Sequence, residues 1–208
     1  EQRRAGREPL VSVRLYIEGG GEGQLLDTLF RQGWTQFFKS AGLTGRMPSV
    51  VRGQGRAQTF ELFSMAVAHP RGGILPLLLV DSEEPVVEGH SVWQHVERRD
   101  GWKRPHGAAA DQAFLMVQVM ETWFLADRDL LRRYFGGALR EIHLRQWPVL
   151  EAVPKPTVFD TLEKATAGCQ RRYAKGKVSY ELLGLLNPQK VEAASPHAKE
   201  LLDRLRRT

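Results

Sequence analysis

The first apolar run, Val11–Ile17 (VSVRLYI), alternates and is rich in β-branched and aromatic residues, which predicts a strand. It breaks at Glu18 into a glycine-rich loop that lasts to Gly23. From Gln24 the period changes. Leu25, Leu26, Leu29, Phe30, Trp34, Phe37 and Phe38 recur at three- and four-residue steps, one face of a helix that stops at Gly42–Gly45. Pro48–Arg52 predicts a short strand, Gly53–Arg56 a basic loop, and Ala57–Ala68 a second helix. Ile74–Val80 is apolar without alternation, as expected of a strand covered on both faces in a parallel sheet. Pro76 must then sit early in that strand or at a bulge. Ser91–Arg99 predicts a helix and Phe114–Met120 a fourth strand, and Asp127–Tyr134 reads as a helix with Asp127 as N-cap. The order β-α-β-α-β-α-β is the cadence of a parallel α/β sheet with right-handed crossovers.

Beyond Gly136 the strand signals stop. Helices are predicted over Ala138–Leu144, Thr157–Thr166, Ser179–Leu185 and Ser195–Arg207, separated by Pro148, Pro154, Pro156, Pro188 and Pro196. With no repeat or flexible linker, the expected organisation is an α/β unit over residues 1–136 with a helical extension, 137–208, packed on it. The charged opening, Glu1–Pro9, reads as a frayed lead-in and not as a signal peptide. No apolar run is long enough for a bilayer, so no membrane partner is expected. One cysteine, Cys169, excludes an intramolecular disulfide and a multi-cysteine zinc site, and suggests a cytoplasmic setting.

Composition adds one point. At 42% hydrophobic and 26% charged the chain is ordinary for a globular protein, but its net charge of +6 and pI near 9.7 favour an anionic partner. Nucleic acid is the commonest such partner, although a surplus of solvated arginine gives the same totals.

The candidate chemistry lies where apolar strands end in acids. Glu18 and Glu22 flank the glycines of IEGGGEG, and Asp81 and Glu83 open the loop after the third strand. The glycine loop is not a dinucleotide fingerprint, because Leu26 stands where the last glycine would fall, and no Gly-Lys-Ser/Thr follows. Two glutamates where a phosphate would sit are unfavourable unless a cation intervenes. Read alone, the loop is better explained by a tight turn with solvated acids. Asp81 and Glu83 alternate around Ser82, so both can project to one side. Mg²⁺ (or Mn²⁺) takes such oxygen ligands, and open α/β sheets place their sites at the carboxyl ends of parallel strands. Provided the first and third strands are neighbours, Glu18, Asp81 and Glu83 are therefore the expected ligands, with Glu22 and Glu121 as outer or second-metal acids. Arg171, Arg172, Lys175 and Lys177 crowd into seven residues around Tyr173, a basic arm for a phosphate backbone or a solvated loop. Trp123, Phe124 and Leu125 read as core. The histidines show no metal spacing, and Cys169 has no evident partner base.

These residues resemble a known pattern. Glu18 in IEGGGEG and the acids in LLLVDSE are similar to those of the Toprim domain of topoisomerases, bacterial primases and the overcoming-lysogeny-defect nucleases. That pattern has a glutamate after its first strand and Asp-x-Asp after its third; here Glu83 replaces the last aspartate. YIEGGGEG, LLLVDSEEPV, WQHVERRDGW, LMVQVMETWFLAD and KGKVSYELL also resemble a bacterial family, domain of unknown function number four-two-seven-six, over about Arg14 to Ala194. The resemblance implies a Toprim-like (Rossmann-like) central parallel sheet of about four strands. It further implies a Mg²⁺-dependent nuclease acting on DNA or RNA, the effector of an anti-phage system beside an ABC- or SMC-type ATPase. In the overcoming-lysogeny-defect nucleases a lysine supports catalysis, and Lys175 or Lys177 would be its counterpart. Arg52, Arg56, Arg171 and Arg172 would track the backbone. Two rivals stand beside this: a non-catalytic partner of the ATPase or of nucleic acid, and a primase-like nucleotidyl transferase, which needs a nucleotide pocket.

Overall fold

A computed structural model describes residues 12–208, so the expected lead-in and the first residue of the expected first strand lie outside the described residues. Four parallel strands form one sheet: β1 (Ser12–Glu18), β2 (Ser49–Gly53), β3 (Ile74–Asp81) and β4 (Ala113–Met116), in the order β2-β1-β3-β4. The strands alternate with helices α1 (Gln24–Ser40), α2 (Arg56–Ala68) and α3 (Val92–Asp100). The protein is thus an α/β fold with a four-stranded parallel sheet flanked by helices.

Period-two geometry sorts the strand side chains between two faces. Val13, Leu15, Ile17, Leu77, Leu79, Phe114 and Met116 join the larger core. Tyr16, Leu78, Val80, Ala113 and Leu115 point the other way, against Phe63 of α2 and Trp93 and Val96 of α3. Both faces are covered, which is why Leu77–Val80 shows no polar alternation. Pro76 lies in the third position of β3, where it pairs with Arg14.

The larger core belongs to sheet and tail together. Five further helices supply it: α4 (Arg128–Phe135), α5 (Lys155–Thr166), α6 (Lys177–Leu185), α7 (Pro188–Ala194) and α8 (Pro196–Arg206). Val158, Leu162, Leu182, Leu183, Val191, Leu201, Leu202 and Leu205 are buried with Phe30, Trp34, Phe37 and Phe38 of α1. Trp123 is fully buried and stacks on Phe37 at 5.5 Å, as a core residue does. Helices α1 and α6 cross closely because Gly33 has no side chain: a Cβ there would lie 2.5 Å from the Tyr180 carbonyl oxygen. That crossing carries the start of α6 over the loop after β1.

Three expectations change. The fourth strand ends at Met116 instead of Met120, and the chain turns through a 3-10 segment, Met120–Ala126, before Asp127 caps α4 by accepting from the Leu130 N–H at 3.2 Å. The helix expected over Ala138–Leu144 is a single 3-10 turn, Glu141–His143. Pro156, Pro188 and Pro196 stand in the first turns of α5, α7 and α8, where a missing N–H costs nothing, so α7 begins where a break was expected.

Candidate metal centre

The sheet reverses its winding between β1 and β3, since β2 lies beyond β1 on one side and β4 beyond β3 on the other. A crevice opens at such a point past the carboxyl ends of the strands. Glu18 ends β1 and Asp81 ends β3. Glu83 follows two residues later in a left-handed turn (φ 66°), unusual for a residue with a side chain. Its N–H donates to the Gln118 carbonyl at 2.8 Å, just as the Ser82 N–H donates to Met116 at 2.9 Å, so the path of β4 steers the turn. The result is that Glu18, Asp81 and Glu83 each bring a carboxylate oxygen within 4.8 Å of the others.

Asp81 is buried and Glu18 and Glu83 are partly buried, so little water screens them. Burial, then the charges of Glu18, Glu121 and Glu83, push the Asp81 carboxyl well above its ordinary value. Glu18 is raised too, first by burial and then by Glu83, against the pull of Arg56. Fixed contacts hold the acids in place. The Met120 N–H donates to Asp81 Oδ1 at 2.9 Å, and the Asp81 N–H reaches Glu18 Oε2 at 3.3 Å. A set of hard oxygen donors with excess negative charge suits Mg²⁺ or Mn²⁺.

Cations surround the acids. Arg56 opens α2, grips Asp100 through two hydrogen bonds of 2.9 and 2.6 Å, donates to the Asp81 carbonyl and lies 3.5 Å from Glu18. Its guanidinium also covers the Trp102 ring at 4.9 Å. Burial disfavours the Asp100 carboxylate, but the Arg56 hydrogen bonds and charge outweigh it and hold its pKa below the usual range. Glu83 pairs with Lys155 at the start of α5 and with Arg99 at 3.7 Å.

The remaining expected site residues fall in different places. Glu121 is buried and accepts from the Tyr173 and Ser179 hydroxyls, each at 3.2 Å. It lines the same cavity as Glu18, Asp81 and Lys175 but lies outside the three-acid group. Glu22 is exposed and also lies outside that group. Lys177 points elsewhere: it is exposed and its nearest acid is Glu181, at 4.0 Å. Arg171 and Arg172 are exposed, Arg171 against the Tyr134 ring and Glu181. Arg52 and Arg56, expected to follow a nucleic-acid backbone, are tucked inside. Arg52 pairs with Asp27 and donates to the Gly20 and Gly21 carbonyls, so it props the glycine loop from below. A positive side chain buried against such partners is a strut, not a contact surface.

Reasoning from sequence missed Lys155, Arg99, Asp100, Tyr173 and Ser179. Arg99 and Asp100 stand in the WQHVERRDGW stretch, whose dense charge was the available signal. Lys155 gave none, being 72 residues from its partner Glu83.

The family model described as Domain of unknown function (DUF4276) matches residues 17–206. The chain belongs to that family. No curated protein and no solved structure matches the chain.

Proposed function

We propose that this protein is a Toprim-like, Mg²⁺- or Mn²⁺-dependent phosphodiesterase acting on nucleic acid. The observation that carries the reading is the convergence of Glu18, Asp81 and Glu83 within 4.8 Å at the winding reversal of the sheet. Three acids held together at a cost in charge repulsion are of use chiefly to a cation. The net charge of +6 and the exposed Arg171 and Arg172 suit an anionic polymer.

In this reading Glu18, Asp81 and Glu83 hold the ion. A bound divalent cation supplies an activated water and neutralises charge on the phosphoryl group. The Met120 N–H fixes Asp81, and Arg56 anchors the Asp81 carbonyl through its grip on Asp100. Lys175 lines the cavity over the Phe159 ring, 5.3 Å from its centre, and brings positive charge toward a developing oxyanion. Glu121, with its hydroxyl partners Tyr173 and Ser179, is placed to accept a proton or a second cation.

The test is a Mn²⁺ soak read by anomalous scattering, paired with cleavage assays of Asp81→Ala on DNA and RNA. The expected result is density among the three acids and loss of cleavage in a folded variant. Splayed, metal-free acids, or a folded and active D81A, would overturn the reading and favour a non-catalytic partner of an ATPase or of nucleic acid.

A further inference from the structure

The cavity beside the acids has a second chemistry in its walls. It measures about 400 Å³, toward the lower end of small-ligand pockets, roughly 300–1,000 Å³. Glu18, Asp81 and Glu121 form its polar floor. The glycines after β1 stand on one side, and the first turn of α6 stands on the other. Between them Leu26, Met116, Met120 and Tyr180 make an apolar lining, with Lys175 beside it. A bare phosphate could use a cation held by that floor, and the ammonium, but gains nothing from four apolar side chains. A nucleoside needs both.

We infer that this cavity receives one nucleoside unit of the substrate, its phosphate on the cation that Glu18 and Asp81 would hold and its base among Leu26, Met120 and Tyr180. The inference rests on the phosphodiesterase reading and narrows its substrate to single strands and frayed ends. A base paired inside a duplex must leave its stack to enter such a pocket, while an unpaired base has little or nothing to break.

The walls are built to keep this shape. Arg52 holds the Gly20 and Gly21 carbonyls at 2.5 and 2.6 Å, and the Tyr180 hydroxyl donates to the same Gly20 carbonyl at 3.4 Å. The Tyr180 ring stands edge-on to Phe30, centres 5.3 Å apart. The close crossing at Gly33 fixes α6 against α1. A preformed pocket spends little binding energy on ordering itself.

The test is calorimetric titration of the intact protein, in Mn²⁺, with adenosine and deoxyadenosine 5′-monophosphates against inorganic phosphate. At least one nucleotide is expected to bind ten times or more tighter than phosphate. Leu26→Trp, which fills the cavity from a half-buried position on α1, is expected to erase that preference and leave Mn²⁺ affinity unchanged. In parallel, single strands are expected to be cut and a covalently closed duplex circle spared. Equal affinity for nucleotides and phosphate, with Mn²⁺ bound, overturns the nucleoside pocket and leaves the metal reading standing. So does equal cutting of the closed circle. Failure to bind Mn²⁺ at all overturns both. If L26W does not fold, the wild-type titrations and the paired substrates decide alone.

Discussion

Replacing Asp81 with Asn is expected to make the metal-free protein more stable while abolishing metal binding. The carboxylate is buried with Glu18 and Glu83 oxygens no more than 4.8 Å away, and at an effective dielectric constant of about 20 each such like-charge pair costs about 3.5 kcal/mol. Lys155 and Arg99 on Glu83, and Arg56 near Glu18, cancel more than half of that. A net penalty of about 2 kcal/mol remains for the charged form. Asparagine keeps the oxygen that accepts the Met120 N–H at 2.9 Å and nearly the same volume, so the packing cost is small. For a chain of 208 residues a gain of about 2 kcal/mol raises the melting temperature by about 4–8 °C. The effect depends on pH with a definite sign. Because the folded protein raises the Asp81 pKa, the carboxyl is not penalised below its ordinary value, and stability falls as pH rises through the raised value. The advantage of D81N is therefore expected to be near zero at about pH 4 and largest at about pH 8. Scanning fluorimetry in EDTA across that range measures it. Added Mn²⁺ is expected to reverse the order, since saturation at about 100 times the dissociation constant stabilises only the wild type, by about 2.7 kcal/mol. A D81N protein that melts below wild type in EDTA at alkaline pH would refute the electrostatic argument.

Two further outcomes follow from the same physics. Arg56→Ala leaves Asp100 with Arg99 alone and the Asp81 carbonyl without the Arg56 donor, and is expected to cost about 3 kcal/mol in denaturant melts, with Arg56→Lys recovering less than half because it lacks the two-pronged geometry. His197 is expected to stabilise the α8 start in a pH-dependent way. Burial opposes its charge, but the 2.8 Å hydrogen bond and charge of Glu151 outweigh it and raise its pKa. The contribution is complete below the ordinary histidine value and lost as pH rises through the raised one, so the gap of about 1 kcal/mol between wild type and His197→Asn at pH 6 is expected to shrink by pH 9.

The third strand was legible because burial on both faces writes itself as a continuous apolar run and the first because it alternates, and the acids were legible because β1 and β3 each end in one. Glu18, Asp81 and Glu83 could be named from position alone. Charge did not reveal direction. Arg52 and Arg56 look like surface cations in a basic loop, yet Asp27 and Asp100, distant in sequence, draw them inward. The tail was harder for a similar reason. Its prolines break helices in one place and begin them in another, and only the neighbouring cap, such as Asn187 before α7 or Ser195 before α8, tells the two apart. The cavity of about 400 Å³ had no sequence signature, because α6 closes it with Tyr180, 160 residues beyond the Gly20 carbonyl it meets.

Glu83 shows which demand dominates at this site. A left-handed backbone at a residue with a side chain costs about 1–2 kcal/mol, which glycine would avoid. Glycine occupies many other positive-φ positions of this chain, including Gly21, Gly23 and Gly55. At position 83 the chain instead keeps a carboxylate and brings Lys155 and Arg99 to offset its charge. Backbone strain, like-charge crowding and two recruited cations all oppose stability or merely repair it. A cation drawn to Glu18, Asp81 and Glu83 would give all three features one cause, which is the physical case for the metal reading proposed above.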